Sequence, residues 1–185
     1  QAGHGKQTSA PFNQATENII LGYQAGYLIE NGTTNVIIGK EAGYAASGSV
    51  SVLTAIGHKA GYRSTSGYSV YVGRNAGEEE TGAYGNTHVG NHAGSEQKIG
   101  SGDSGNSSFG YLAATNNVTG TSNTMIGSAA GRFNTASSNT AVGAGALGGI
   151  STSQNHSGAN VAIGASTFTK GIIGGLGRSV AVGYE

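Results

Sequence analysis

A chain of 185 residues with nine Lys and Arg, nine Asp and Glu and no Cys has the length of a single domain. Its basic residues are scattered and balanced by acids, which gives no electrostatic footprint for nucleic acid or an anionic membrane. No apolar run is long enough to cross a bilayer. The 35 glycines lack the period of collagen, and a regular apolar pattern with a single Pro argues against a disordered chain. We therefore expect one folded domain, with no nucleic acid partner and no membrane insertion.

Residues 1–17 precede the first repeat and contain the only proline, Pro11. This composition is typical of an extended arm. The arm could cap the first coil, contact a neighbouring chain or be the remnant of a preceding segment. The repeat domain is predicted to span residues 18–185.

From residue 18 onward, the pattern Asn-x-x-aliphatic-Gly-x-x-Ala returns with spacings of 16 to 21 residues. A period of this size is the signature of stacked repeats that contact only their neighbours. Each repeat has room for two short strands and two turns, which predicts an all-β fold, a parallel β-roll or β-solenoid of about ten coils. The marker glycines are Gly22, Gly39, Gly57, Gly73, Gly90, Gly110, Gly127, Gly143, Gly164 and Gly183. The repeated Asn is expected to bond its own backbone and its copies in adjacent coils.

The residue directly before each marker glycine is always large and apolar, as at Ile38 and Ile126. We therefore predict that this residue and the residue two positions earlier face the core, and that Ile126→Asp unfolds the roll locally. The residue between them then points outward, and this row is too apolar for a surface that meets only water. Subunit contacts are predicted along it, at Ile20, Ile37, Tyr71, His88, Met125, Ala141, Ala162 and Ala181.

Two features provide candidate ligand-binding residues. Three tyrosines occupy the same place in the first three coils, so stacking would form a ladder that stabilises the roll or offers a platform for sugars or proteins. Longer return segments occur in three coils, and insertions in solenoids often project on the binding side. The candidates are Tyr27, Tyr44, Tyr62, Lys98, Asp103, Asn155 and His156.

No catalytic centre is visible. Asp103 and Glu96 are too few carboxylates for a sugar-cleaving solenoid enzyme, and His88 and His92 are separated by a corner, which favours surface or interface histidines over metal ligands. The acidic run at residues 78–80 is interpreted as a solvated loop. We expect no enzymatic activity, no metal and no cofactor.

Four copies, at residues 123–127, 139–143, 160–164 and 179–183, resemble the Asn-Ser-Val-Ala-Ile-Gly repeats of YadA-type heads in trimeric autotransporter adhesins. Similar repeats occur in phage tail-fibre proteins. The resemblance spans Asn18 to Glu185. It implies a left-handed β-roll, a homotrimer around a threefold axis, and an extracellular place on a cell or virion surface.

Two functions follow as alternatives. The first is a non-enzymatic adhesin or fibre head that binds host protein or cell-surface glycan. The second is a structural subunit of a self-assembling extracellular filament in which rolls stack end to end. A left-handed β-helix acyltransferase is a distant third, because its six-residue period fails along most of the chain.

Overall fold

The computed structural model describes residues 17–46, 50–65, 67–97, 102–149, 158–168 and 178–184. Within these ranges the chain is all-β and contains no helix. The N-terminal arm, apart from its last residue, lies outside the described residues. The strands are β1 (Ile19–Leu21), β2 (Val36–Ile38), β3 (Thr54–Ile56), β4 (Val70–Val72), β5 (Ala83–Tyr84), β6 (Thr87–Val89), β7 (Gly102–Asp103), β8 (Ser107–Phe109), β9 (Thr124–Ile126), β10 (Thr140–Val142), β11 (Val161–Ile163) and β12 (Val180–Val182).

Ten three-residue strands form one parallel sheet in the order β1-β2-β3-β4-β6-β8-β9-β10-β11-β12. Each strand pairs with the equivalent residues of the next coil, so that Ile37 lies beside Ala55 and Met125 beside Ala141. β5 and β7 form a separate two-stranded parallel sheet. The predicted all-β parallel β-solenoid is confirmed, and every aliphatic-Gly step lies at the end of a strand of the large sheet.

The predicted assignment of the two faces is wrong. In the strands from β2 to β11 of the large sheet, the middle residue is buried and the first and third residues are partly exposed. Ile37 is 0 % exposed, whereas its neighbour Ile38 is half-buried. The middle residue points inward because it is in phase with the repeated Asn before the strand, and that Asn also turns into the roll.

The interior is narrow and is divided along the rod. One apolar cluster, which includes Ile29, Ile37 and Leu53, fills the coils from β1 to β4. A second, which includes Met125 and Leu147, fills the coils from β8 onward. Between them the buried side chains are mainly polar.

The repeated asparagines form a ladder at the corner before each strand. The side-chain oxygen of Asn123 accepts a hydrogen bond from the backbone N–H of Asn139 at 2.8 Å, while its Nδ2 donates to the carbonyl of Ala136 at 2.9 Å. Each rung thus satisfies buried backbone groups of its own coil and the next, as predicted for this residue. The same contact to the next coil is made by Asn18, Asn35, Asn86, Asn106, Asn123, Asn139 and Asn160.

The marker glycines form a second column, at the corner after each strand. Gly127 has φ +132°, and a Cβ placed on it would lie 2.5 Å from the carbonyl oxygen of Gly143 in the next coil. Neither the backbone conformation nor the contact accommodates a side chain. This explains why glycine recurs there in every copy.

Candidate interaction face

The first and third residues of the ten strands of the large sheet point away from the roll, and we call this surface the outer face. Its twenty side chains lie in two columns, because the strands are parallel and in register. The third-residue column contains only large apolar side chains, and the first-residue column contains Ile, Val, Thr and Ser. The columns are Ile19, Val36, Thr54, Val70, Thr87, Ser107, Thr124, Thr140, Val161 and Val180, and Leu21, Ile38, Ile56, Val72, Val89, Phe109, Ile126, Val142, Ile163 and Val182.

No side chain of the outer face is fully buried in the single chain. Even in the middle of the rod, Phe109 is 40 % and Ile126 41 % exposed. Ten strands about 4.8 Å apart and three residues wide give a continuous, mostly apolar surface of roughly 400–650 Å², as large as the largest patches on soluble monomers. A surface of this size and regularity is suited to covering by another protein surface.

The eight predicted interface residues belong to the core instead. Ile37, Tyr71, His88, Met125, Ala141 and Ala162 are 0–1 % exposed in the single chain, so they cannot contact another subunit. Ile20 and Ala181 occupy the same inward position in the two outermost strands of the sheet, where they are half-buried. The spacing within the repeat could have located the outer face. The repeated Asn, the middle residue of the strand and the marker glycine lie two residues apart, so all three point to the same side of the strand, which is the inside of the roll.

The predicted tyrosine ladder is present. The rings of Tyr27, Tyr44 and Tyr62 stack with centroids 5.1 Å apart and planes within 5°. Both faces of the Tyr44 ring are therefore covered by its neighbours, and the ammonium of Lys59 lies 5.1 Å from the Tyr62 centroid. A sugar stacks on the face of a ring, so the central part of this ladder presents only ring edges to a ligand.

The other predicted ligand-binding residues are not brought together by the described structure. Lys98, Asn155 and His156 lie outside the described residues. Asp103 lies in β7, where its backbone pairs with that of Tyr84.

A polar layer occupies the middle of the interior, where five side chains from successive coils meet. The hydroxyl of Tyr71 donates to Oε1 of Glu80 at 2.5 Å. Oε2 of Glu80 lies 3.2 Å from Nε2 of His88, and both side chains are 0 % exposed. Nε2 of His88 is also 3.1 Å from Oε1 of Gln97, and Nδ1 is 2.5 Å from the hydroxyl of Ser108.

These contacts constrain the proton positions on His88. Its Nε2 faces two oxygen acceptors and therefore carries a hydrogen, while Nδ1 faces a hydroxyl that either donates or accepts. Asn86 donates a further hydrogen bond to Glu80 at 2.7 Å. Oε1 of Glu80 thus has two donors, Tyr71 and Asn86, whereas Oε2 accepts no hydrogen bond from the described residues and faces the His88 ring.

Ser108, His88 and Glu80 contact one another in this order, and the same three residue types form the catalytic triad of some hydrolases. All three side chains are 0 % exposed, and they lie inside the roll, so no external substrate reaches the hydroxyl. The layer therefore acts on the fold, where it joins three coils.

Burial raises the pKa of the Tyr71 hydroxyl well above its ordinary value, and the adjacent Glu80 raises this pKa further. The folded chain thus keeps Tyr71 neutral at a pH where the unfolded chain ionises it, above about pH 10. The stabilisation is complete below that pH and is lost as pH rises, because the unfolded state then binds fewer protons.

We expect the unfolding free energy to fall above about pH 10 with an extra slope approaching about 1.4 kcal/mol per pH unit from Tyr71 alone. Denaturant titrations at several alkaline pH values measure this slope, with Tyr71→Phe as the comparison. The variant should lack the extra slope, even though losing the bond to Glu80 lowers its stability at every pH. Equal slopes in the two proteins would show that Tyr71 ionises equally in the folded and unfolded chains.

The acidic run at residues 78–80 is split by the fold, which corrects its interpretation as a solvated loop. Glu78 and Glu79 are partly exposed and pair with Lys59 at 3.7 Å and Arg63 at 2.9 Å. Glu80 points inward and is buried.

His88 and His92 do not converge, since the first is buried and the second is partly exposed. Among the described residues, no group of three or more His, Cys, Asp or Glu side chains is placed to hold a metal ion.

Comparisons with protein families, with characterised proteins and with solved structures give no match to this chain. Within the described ranges, no helix has the length and apolar character needed to span a membrane.

Proposed function

We propose that this chain is a non-enzymatic, rod-shaped segment of an extracellular adhesin or fibre, displayed on a cell or virion surface. Its copies assemble as a homotrimer by packing their outer faces together. The remaining surface and the long return segments bind host protein or cell-surface glycan. The trimer and the adhesive role rest on the resemblance of the repeats to YadA-type heads and phage tail fibres.

The observation that carries the proposal is the outer face. Its third-residue column is entirely aliphatic or aromatic along all ten strands of the sheet, although polar residues occupy several buried positions of the same strands. A surface that met only water would not require this distribution. Two outer faces with their flanking residues together reach the roughly 1,200 Å² that specific interfaces bury.

Replacing Ile126 by Lys tests the proposal. An ammonium in the centre of the outer face remains solvated in the single chain but loses its hydration when a second face covers it. We expect sedimentation velocity to show a shift from trimer to single chains, with thermal melting of the separated variant still cooperative. The matched control is Asn31→Lys, an exposed position in the return segment of the first coil, which should leave assembly unchanged.

The same pair of variants tests the adhesive role. A trimer presents three copies of each binding surface, and joining them raises the apparent affinity for a ligand-dense surface by roughly 10²-fold or more. Binding to immobilised host cells or glycan arrays should therefore fall by about that factor in Ile126→Lys and stay unchanged in Asn31→Lys. If the native trimer binds none of these surfaces, the adhesive role is contradicted while the assembly stands.

A further inference from the structure

A single residue in the left-handed conformation lies two positions before each strand of the large sheet, and we call this row the corner column. Its ten members have φ between +56° and +77°, and all are exposed in the single chain. Glycine occupies the column only in two adjacent coils. The members are Glu17, Thr34, Val52, Tyr68, Gly85, Gly105, Ser122, Ser138, Ala159 and Arg178.

The second of these glycines, Gly105, is an extra residue in its coil. Tyr84 pairs with Asp103 and Thr87 pairs with Ser107, so three steps along one coil match four steps along the next. The N–H groups of the residues on either side of Gly105 donate to the preceding coil, which leaves Gly105 without a counterpart. A bulge of this kind leaves its extra residue unpaired, and such bulges are over-represented next to active sites.

The two glycines form a notch in the corner column. A Cβ placed on Gly105 would meet nothing within 4 Å, and one placed on Gly85 would meet only the backbone nitrogen of Gly105, at 4.0 Å. Tyr68 and Ser122 border the notch. They are three strand spacings, or about 14 Å, apart, so the two positions between them are open to a ligand.

The floor of the notch offers hydrogen-bond donors. At Tyr68 and Ser122, as at other corners, the backbone N–H donates to a carbonyl of the preceding coil. Among the residues that the structure describes, the N–H groups of Gly85 and Gly105 donate no such bond. A ligand oxygen in the notch would therefore find free donors.

Tyr68 borders the notch in a strained conformation. Its φ is +56°, which is unfavourable for a bulky side chain, and its side chain is 68 % exposed. Within the described ranges, this side chain makes no hydrogen bond, ion pair or ring contact. Tyr68 thus strains the fold without a bond that offsets the strain, and such residues concentrate at binding sites.

We propose that the notch binds one neutral sugar ring of a cell-surface glycan, with the apolar face of the sugar on the Tyr68 ring and its oxygens on the N–H groups of Gly85 and Gly105. This inference rests on the proposed function and assigns a site and a ligand class to it. An open aromatic face suits the C–H face of a pyranose, and Tyr68 lacks the ring neighbours that cover Tyr44. The residues that form the notch carry no charge, which favours a neutral sugar over a charged one.

The size of the notch agrees with a single ring. Rings in the tyrosine ladder stack 5.1 Å apart, which is close to one strand spacing of about 4.8 Å. A sugar ring stacked on Tyr68 at a similar distance would therefore lie above Gly85, and its hydroxyl groups would reach Gly105.

Titration of the native assembly with methyl β-galactopyranoside and with methyl N-acetyl-β-glucosaminide tests for this site. We expect saturation-transfer NMR to show contact with at least one of these probes, with a dissociation constant of about 1–10 mM. The methyl glycoside of N-acetylneuraminic acid is the charged comparison, and it should bind more weakly.

Tyr68→Gly separates a binding role from a structural one. The variant removes the ring and also relieves the strain, so the dissociation constant for the sugar should rise by about tenfold while the melting temperature stays at or above the native value. Tyr68→Phe keeps the ring and should bind within about threefold of the native protein. A structural role would instead lower the melting temperature in Tyr68→Gly.

Gly105→Asn fills the notch without forcing the backbone, because Asn tolerates a positive φ. We expect the dissociation constant for the sugar to rise by about tenfold, with an unchanged mass of the assembly in light scattering. The matched control is Ser138→Asn, at the same corner of a coil beyond the notch, where φ is +62°. This control should bind the sugar as the native protein does.

The outcomes separate this inference from the proposed function. Sugar binding that neither Tyr68→Gly nor Gly105→Asn weakens overturns the notch as the site. A native assembly that binds host cells or glycan arrays but none of the methyl glycosides overturns it as well, and both results leave the adhesive role standing. A native assembly that binds neither these surfaces nor the methyl glycosides contradicts the adhesive role and the notch together.

Discussion

Replacing Ile37 by Asp will unfold the coils around β2, whereas the same change at the adjacent Ile38 will be tolerated. Ile37 is 0 % exposed inside an apolar cluster, where a carboxylate has no donor or cation. We expect the unfolding free energy to fall by about 4 kcal/mol or more at Ile37 and by roughly 1 kcal/mol at Ile38.

Denaturant titration of both variants in the Ile126→Lys background keeps assembly out of the comparison. The two positions share residue type and strand, so the difference reports the direction of the side chain. An equal loss at both positions, or a larger loss at Ile38, would contradict this assignment. It would show that the residues directly before the marker glycines face the core.

Replacing Gly127 by Ala is the second change with a large expected effect. Its Cβ would lie 2.5 Å from the carbonyl oxygen of Gly143, in a backbone with φ +132°. The conformational strain and the steric clash together should cost about 2–6 kcal/mol of unfolding free energy.

Gly105→Ala is the matched control for this effect. Gly105 also has a positive φ, +56°, but its Cβ would meet nothing within 4 Å, so only a strain of about 1–2 kcal/mol is expected. Thermal and chemical unfolding of the two variants measure the difference. Similar losses in both would indicate that coils are not stacked closely at the marker glycines.

The repeat was readable from sequence because each coil obeys the same local constraints. The marker glycine is fixed by a backbone contact to the next coil, the Asn by a buried bond to the next Asn, and the tyrosine row by stacking. Each constraint recurs at a nearly constant spacing, so its position in one copy predicts its position in the others. This placed all the strands of the large sheet and the ladder of Tyr27, Tyr44 and Tyr62.

The direction of the side chains was predicted wrongly because hydrophobicity was used to find the core. The most apolar row faces outward, where we propose that another copy covers it. The buried row includes Tyr71, His88 and Ser108, which are polar and are satisfied by partners in other coils. A row that contains polar residues is not recognised as a core from the hydrophobicity of the sequence.

The polar layer itself was missed for a related reason. Glu80 and Gln97 lie in return segments that vary from coil to coil, and they meet His88 only after stacking. No spacing rule links them. The hydrogen bonds of the layer form only when these coils stack in their native order, so the layer favours that order over a misaligned stack of similar repeats.

Light scattering on the native chain over a wide concentration range is the most direct test of the claim that the outer face is covered by further copies. The account predicts a discrete particle of three times the 18.3 kDa chain mass. A particle of twice the chain mass would keep the interface but contradict the threefold arrangement, and unlimited growth would indicate the end-to-end filament. A single-chain mass at every concentration would contradict the central claim.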